Sequence, residues 1–291
     1  VNLRGTVTAL ATPFTGGVPD TGALRRLVAF QIENGVEGLL ACGCTGEPAT
    51  MSEAERLMVM ETVVDQAAGA VPVLGGTGTN CTESTTRFTR DAVKTGIDGV
   101  LVITPYYNKP TPAGQIAHFQ AVADASTLPV MIYNVPGRTG TCMTVETIAA
   151  LAGHGNIKAL KDAAGSIERI TEIRRACSIG LFSGDDHLAL PQAFMGSDGV
   201  VSVTSNVAPA AMSEMIRQGL AGNVEVARRI HERLFPLFRA LFTETSPGPV
   251  KMALNILGIF PDPAPRLPLV SVGQPCIEAL LSAMKGAGVL E

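Results

Sequence analysis

Lys161 closes the apolar run Ile157-Lys158-Ala159-Leu160-Lys161. In a strand, successive side chains alternate, so Ala159 and Lys161 share one face and Lys158 and Leu160 the other. A lysine facing an apolar interior loses hydration, which disfavours its ammonium form and exposes a neutral amine. Such an amine adds to carbonyl carbon and forms Schiff bases. A rim lysine paired with the adjacent Asp162 is the alternative, and the pattern leaves both open. Tyr133 ends the run Pro129–Tyr133. A phenol there can pass protons to and from a carbinolamine or enamine; a core tyrosine with a satisfied hydroxyl is the other reading. Arg138 lies in the turn Val135-Pro136-Gly137-Arg138-Thr139-Gly140, where a guanidinium fork suits a carboxylate, unless it is a solvated loop arginine. Thr45, between Cys44 and Gly46, offers a hydroxyl and backbone amides to a second carboxylate, or belongs to a structural turn. The chain has only three tyrosines, 106, 107 and 133. All fall at the ends of two apolar runs, where scattered core tyrosines would not gather.

The elements that position these residues repeat. Strand-length apolar runs occur at Thr6–Ala11, Glu37–Cys42, Val71–Gly75, Gly99–Ile103, Pro129–Tyr133, Ile157–Lys161, Gly180–Ser183 and Gly199–Val203. Several are apolar almost throughout, as strands buried on both faces are. Amphipathic segments lie between them. Ser52 precedes Glu53 and Glu55, a helix start, with Leu57, Met60, Val63 and Val64 as its apolar face. Thr82 and Thr144 open two further helices in the same way. Eight strand–helix units predict an α/β fold, a (β/α)8 TIM barrel over residues 1–224. The last barrel helix is expected at Pro209–Ala221. A C-terminal helical appendage over 225–291 follows, with helices near Glu225–Phe242, Pro249–Leu257 and Pro275–Lys285. In such a barrel the site lies at the C-terminal strand ends, where Lys161, Tyr133, Arg138 and Thr45 fall. An open doubly wound sheet is the competing fold, but Gly75-Gly76-Thr77-Gly78-Thr79-Asn80 lacks the dinucleotide spacing and no phosphate-loop motif occurs.

Composition excludes several classes. With 22 Lys+Arg against 26 Asp+Glu the net charge is −4, so no basic excess holds nucleic acid or an anionic membrane. At 46% hydrophobic and 16% charged, the 291 residues are too apolar for a disordered chain. No apolar run reaches the roughly 18 residues of a membrane span. The opening Val1-Asn2-Leu3-Arg4-Gly5 has no signal pattern, and the six cysteines form no C-x-x-C pair, so a reduced, cytoplasmic protein is expected. The four histidines show no ligand spacing, so no metal is expected. Asp185-Asp186 disfavours a phosphate ligand, and its expected role is a solvated helix start.

Taken in order, Gly43-Cys44-Thr45-Gly46-Glu47, Thr104-Pro105-Tyr106-Tyr107-Asn108-Lys109-Pro110, Tyr133 to Gly140, Lys161-Asp162-Ala163-Ala164-Gly165 and Ser183-Gly184-Asp185-Asp186 resemble the dihydrodipicolinate synthase family of class I pyruvate lyases. The resemblance spans almost the whole chain, including Pro247-Gly248-Pro249-Val250-Lys251. It implies condensation of pyruvate, as an imine of Lys161 and with no other cofactor, with L-aspartate-4-semialdehyde. Tyr133 would be the general acid/base, Thr45 would hold the pyruvate carboxylate, and Arg138 the semialdehyde carboxylate. Val203 would line the site through its carbonyl. The resemblance also implies a homo-oligomer, usually a dimer of dimers, in which Tyr107 enters the neighbour's site. One departure stands out: Cys44 replaces the family's usual threonine, whose hydroxyl links the two tyrosines, and a thiol is a weaker donor and acceptor. Two other readings therefore stay open, a Schiff-base lyase or dehydratase acting on a sugar acid, and a non-catalytic barrel. Relatives inhibited by L-lysine bind it at positions matching Pro48, Ala49, Glu53, Arg56, Asn80, Ser84 and Tyr106. Here Ser84 stands where a glutamate commonly pairs with the ligand's ammonium, and Glu53 where histidine is usual.

Overall fold

The computed structural model describes residues 3–290; Val1 and Asn2 of the opening segment, and Glu291, lie outside the described residues. Eight strands close a barrel: β1 Gly5–Ala9, β2 Gly38–Ala41, β3 Val73–Gly76, β4 Gly99–Ile103, β5 Val130–Asn134, β6 Ile157–Asp162, β7 Gly180–Ser183 and β8 Gly199–Ser202. Every neighbouring pair is parallel, and β8 returns to β1 with Val201 opposite Val7. The strands read as unbroken apolar runs because both faces are buried. Val7, Ala9, Leu40, Leu74, Leu101, Met131, Tyr133, Phe182 and Val201 fill the interior. Their neighbours Leu39, Val73, Val100, Ile132, Leu160, Leu181 and Val200 point out into the layer under the helices.

Among the described residues, eleven principal helices surround the barrel: α1 Thr21–Glu33, α2 Glu53–Ala67, α3 Thr82–Val93, α4 Pro112–Ala125, α5 Val145–Ala152, α6 Glu168–Ala176, α7 Asp186–Phe194, α8 Pro209–Leu220, α9 Val224–Ala240, α10 Gly248–Ile256 and α11 Gln274–Gly286. Ser52 caps α2 in a reciprocal box, its hydroxyl accepting from Glu55 N and its amide donating to the Glu55 carboxylate. Thr144 caps α5 as expected, accepting from Thr147 N. Thr82 does not cap α3. Cys81 holds that position without a side-chain bond, and the Thr82 hydroxyl instead meets His118 Nδ1 at 2.9 Å. A long-range partner has captured the hydroxyl that a local rule assigned to the helix end. Helices α8 to α11 fall within two residues of their expected bounds, and α9 packs on α8, α7 and α11.

The seam between β8 and β1 leaves no room for a side chain at Gly199, where a Cβ would lie 1.9 Å from the Gly5 carbonyl oxygen. Both atoms are backbone, so relief requires moving a strand. Gly199→Ala should therefore destabilise the protein by at least ~1–3 kcal/mol in urea unfolding. A wild-type midpoint would show that the seam is looser than described.

Candidate active site

The register places Tyr133, Lys161 and Phe182 side by side at the C-terminal ends of β5, β6 and β7. Lys161 is 4% exposed, and its Nζ lies 4.3 Å from the centre of the Tyr133 ring. Asp162, one residue on, faces the other side of the strand. Its carboxylate accepts from Asn134 Nδ2 at 2.7 Å and Arg169 Nε at 3.2 Å. The alternative of a rim lysine paired with Asp162 is thereby settled against, since alternation sends the two side chains to opposite faces. Burial pushes the Lys161 amine down to about 8, although Cys44, Asp186 and Asp185 act in the opposite sense. Gly184 makes space for the lysine stem: a Cβ there would sit 3.2 Å from Lys161 Cε and 2.6 Å from the Ala163 Cβ.

Tyr133 is 5% exposed, and burial raises its phenol well above the ordinary value. It is a neutral hydroxyl near neutral pH, able to donate and accept. The end of β5 is pinned by Thr104, whose amide and hydroxyl both donate to the Tyr133 carbonyl, at 2.9 and 2.8 Å. After β2 the chain turns through Cys42 and Glu47, both in the left-handed region at φ 55. Between them, Gly46 N donates to Gly43 O and Glu47 N to Cys44 O, while among the described residues the Cys44 and Thr45 amides donate to no backbone carbonyl. Thr45 is 4% exposed, and Cys44 but not Thr45 borders the cavity above the strand ends.

A cavity of about 330 Å³ opens over these strand ends, and Cys44, Tyr133, Arg138 and Tyr106 line it. Arg138 sits in a short helical turn, Pro136–Thr139, and its Nη2 donates to the Ser246 carbonyl at 3.4 Å. Pro48, Ala49 and Arg56 line the same cavity, whereas Glu53, Asn80 and Ser84 do not. Glu53 is instead paired with Arg87 at 2.7 Å. Arg56 is buried, donating to Gly76 O at 2.7 Å and stacked 3.9 Å over Phe88. Tyr107 takes no part in this chain's own cavity; it is 89% exposed with φ 72.

Val203 follows the end of β8 at Ser202, and its carbonyl accepts from Asn206 N at 3.1 Å and Asn206 Nδ2 at 2.9 Å. One expectation needs correction: Asp186 is not solvated. It is 4% exposed, and its Oδ2 accepts from Val203 N, Thr204 N and Thr204 Oγ1 at 3.1, 2.7 and 2.7 Å. Sequence reasoning missed this anchor; its only signal was an acidic pair directly after an apolar run. It also missed a buried ion pair between Glu47 and Lys251, 204 residues apart.

The dihydrodipicolinate synthetase family model matches residues 2–286. The chain belongs to the dihydrodipicolinate synthetase family. It is 43% identical to a 4-hydroxy-tetrahydrodipicolinate synthase of Trichlorobacter lovleyi, covering 97% of this chain and 99% of that one. It is 46% identical to the synthase of Methylococcus capsulatus, over 99% and 100%. Among solved structures it resembles the chloride-inhibited dihydrodipicolinate synthase of Acinetobacter baumannii complexed with pyruvate, with TM-score 0.97, 37% identity and coverage of 99% and 100%. Among the described residues no three His, Cys, Asp or Glu side chains converge as a metal site requires, and no helix is long and apolar enough to cross a membrane.

The lowered Lys161 amine has a direct readout. Below pH 8 it is mostly protonated and unreactive; above, it is neutral. Reductive methylation of Lys161, followed by peptide mass spectrometry, should rise through a midpoint near pH 8, against about 10.4 for an unperturbed lysine. A midpoint at the unperturbed value would contradict the desolvation described.

Proposed function

We propose that the protein condenses pyruvate with L-aspartate-4-semialdehyde to give 4-hydroxy-tetrahydrodipicolinate, a step of lysine and diaminopimelate synthesis. The observation that carries this is the Lys161 amine, buried in the barrel mouth with its nitrogen against the Tyr133 ring. Family membership and the names of both relatives support it. Lys161 Nζ adds to the keto carbon of pyruvate, and loss of water leaves an imine. A methyl proton is then lost to give the enamine. The enamine carbon forms a bond to the aldehyde carbon, whose oxygen takes up a proton. Attack by the semialdehyde's own amine on the imine carbon closes the ring and expels Lys161. Tyr133, a neutral phenol beside the reacting nitrogen, accepts and returns the protons. The protonated imine is itself the electron sink, so this mechanism assigns no further cofactor.

The free Cys44 and Thr45 amides and the Thr45 hydroxyl take the pyruvate carboxylate, and Arg138 at the cavity edge takes that of the semialdehyde. Tyr107, exposed on a single chain, enters the site of a second copy, and Cys44 relays protons between it and Tyr133. The assembly on this reading is a homo-oligomer, a dimer of dimers. It works in the cytoplasm, where the six free cysteines stay reduced.

Steady-state assay with both substrates tests the reading, and Arg138 separates it from a sugar-acid lyase. Arg138→Ala should lower use of the semialdehyde on the order of ten- to a hundredfold, the worth of a charge-assisted pair. Formation of the pyruvate imine should survive. Unchanged condensation in this variant would point to a different aldehyde partner. L-Lysine should inhibit weakly or not at all at millimolar concentration. Ser84 offers its ammonium no carboxylate, Glu53 is tied to Arg87, and an ammonium left unpaired in a cavity is costly. Saturating inhibition at micromolar lysine would contradict this.

A further inference from the structure

Glu47 closes the turn that carries Cys44 and Thr45, and its left-handed backbone is one a non-glycine residue keeps only when its surroundings over-determine it. Those surroundings come from the far end of the chain. The Glu47 carboxylate accepts from Lys251 Nζ at 2.7 Å and from Arg266 N at 2.9 Å. The two charged side chains are 0% and 1% exposed, and the ammonium also lies 4.3 Å from the centre of the Phe14 ring. Desolvation of both charges largely offsets their attraction, so such a pair adds little stability over an apolar one; what it fixes is geometry. The carbonyl of Gly46 is held as well, by Thr12 Oγ1 at 2.8 Å. Between these anchors and Cys42 lie the Cys44 and Thr45 amides, which donate to no backbone carbonyl among the described residues.

We propose that Lys251 is a positioning residue: acting through Glu47, it sets the turn whose amides receive the carboxylate of the keto acid. The proposal rests on the pyruvate reading of this turn. Lys251 touches no substrate. Its removal loosens the receiving turn while leaving Lys161 and Tyr133 on their strands.

Two full-length variants test it. Lys251→Met keeps the bulk but leaves the Glu47 carboxylate buried without its cation. Glu47→Gln with Lys251→Met removes both charges and is the variant expected to fold if the first does not. In each folded variant the KM for pyruvate should rise on the order of ten- to a hundredfold. Imine trapping should slow, and the KM for the aldehyde should stay unchanged. Cys44, which rides on the turn, should react faster with iodoacetamide. A folded variant that only melts earlier, with wild-type pyruvate KM and Cys44 reactivity, would reduce the pair to a structural staple and overturn the proposal. So would failure of both variants to fold. If the wild-type protein forms no pyruvate imine, the pyruvate reading fails; Cys44 reactivity then still decides whether Lys251 sets the turn.

Discussion

A lysine held inside an apolar barrel is the constraint on which the site depends. Carrying the amine from its ordinary value to about 8 corresponds to roughly 3 kcal/mol of lost preference for the charged form. The fold limits the opposing pull by committing neighbouring carboxylate oxygens elsewhere. Asp162 is turned outward to Asn134 and Arg169, and Asp186 Oδ2 is occupied by three donors from the turn after β8. Had either carboxylate closed on the ammonium, the lysine would stay protonated and inert as a nucleophile. The absence of a Cβ at Gly184 leaves room beside the lysine stem, since a Cβ there would lie 3.2 Å from Lys161 Cε.

Around this centre the work is divided by strand. Strands β5 and β6 supply phenol and amine from positions fixed by barrel register, a rigid placement. The loop after β2 has no such register to fix it and is held from outside. That support comes from the C-terminal region, where Lys251 and Arg266 grip Glu47, and Arg266 also pairs with Glu55 and donates to the Thr50 carbonyl. Ser246, just before α10, meets Arg138 across the cavity. The helices that follow the barrel therefore bound the site as well as packing beneath it.

Much of this was legible in the sequence because it is local. Unbroken apolar runs marked strands buried on both faces, and alternation along Ile157–Lys161 put Lys161 on the same face as Ala159. Ser52 and Thr144 behaved as helix caps. Local pattern failed where a distant group competed: His118, 36 residues away, took the Thr82 hydroxyl. The pair between Glu47 and Lys251 spans 204 residues, and no periodicity or motif connects its ends. The part assigned to Tyr107 came from family resemblance alone.

One covalent measurement tests the role of Lys161 most directly. The protein is incubated with pyruvate, treated with borohydride, digested, and its peptides weighed. A single adduct of lactyl mass on the peptide containing Lys161, absent from Lys161→Ala together with all turnover, is the predicted result. An adduct on another lysine, or no adduct from a protein that still consumes pyruvate and the semialdehyde, would contradict it.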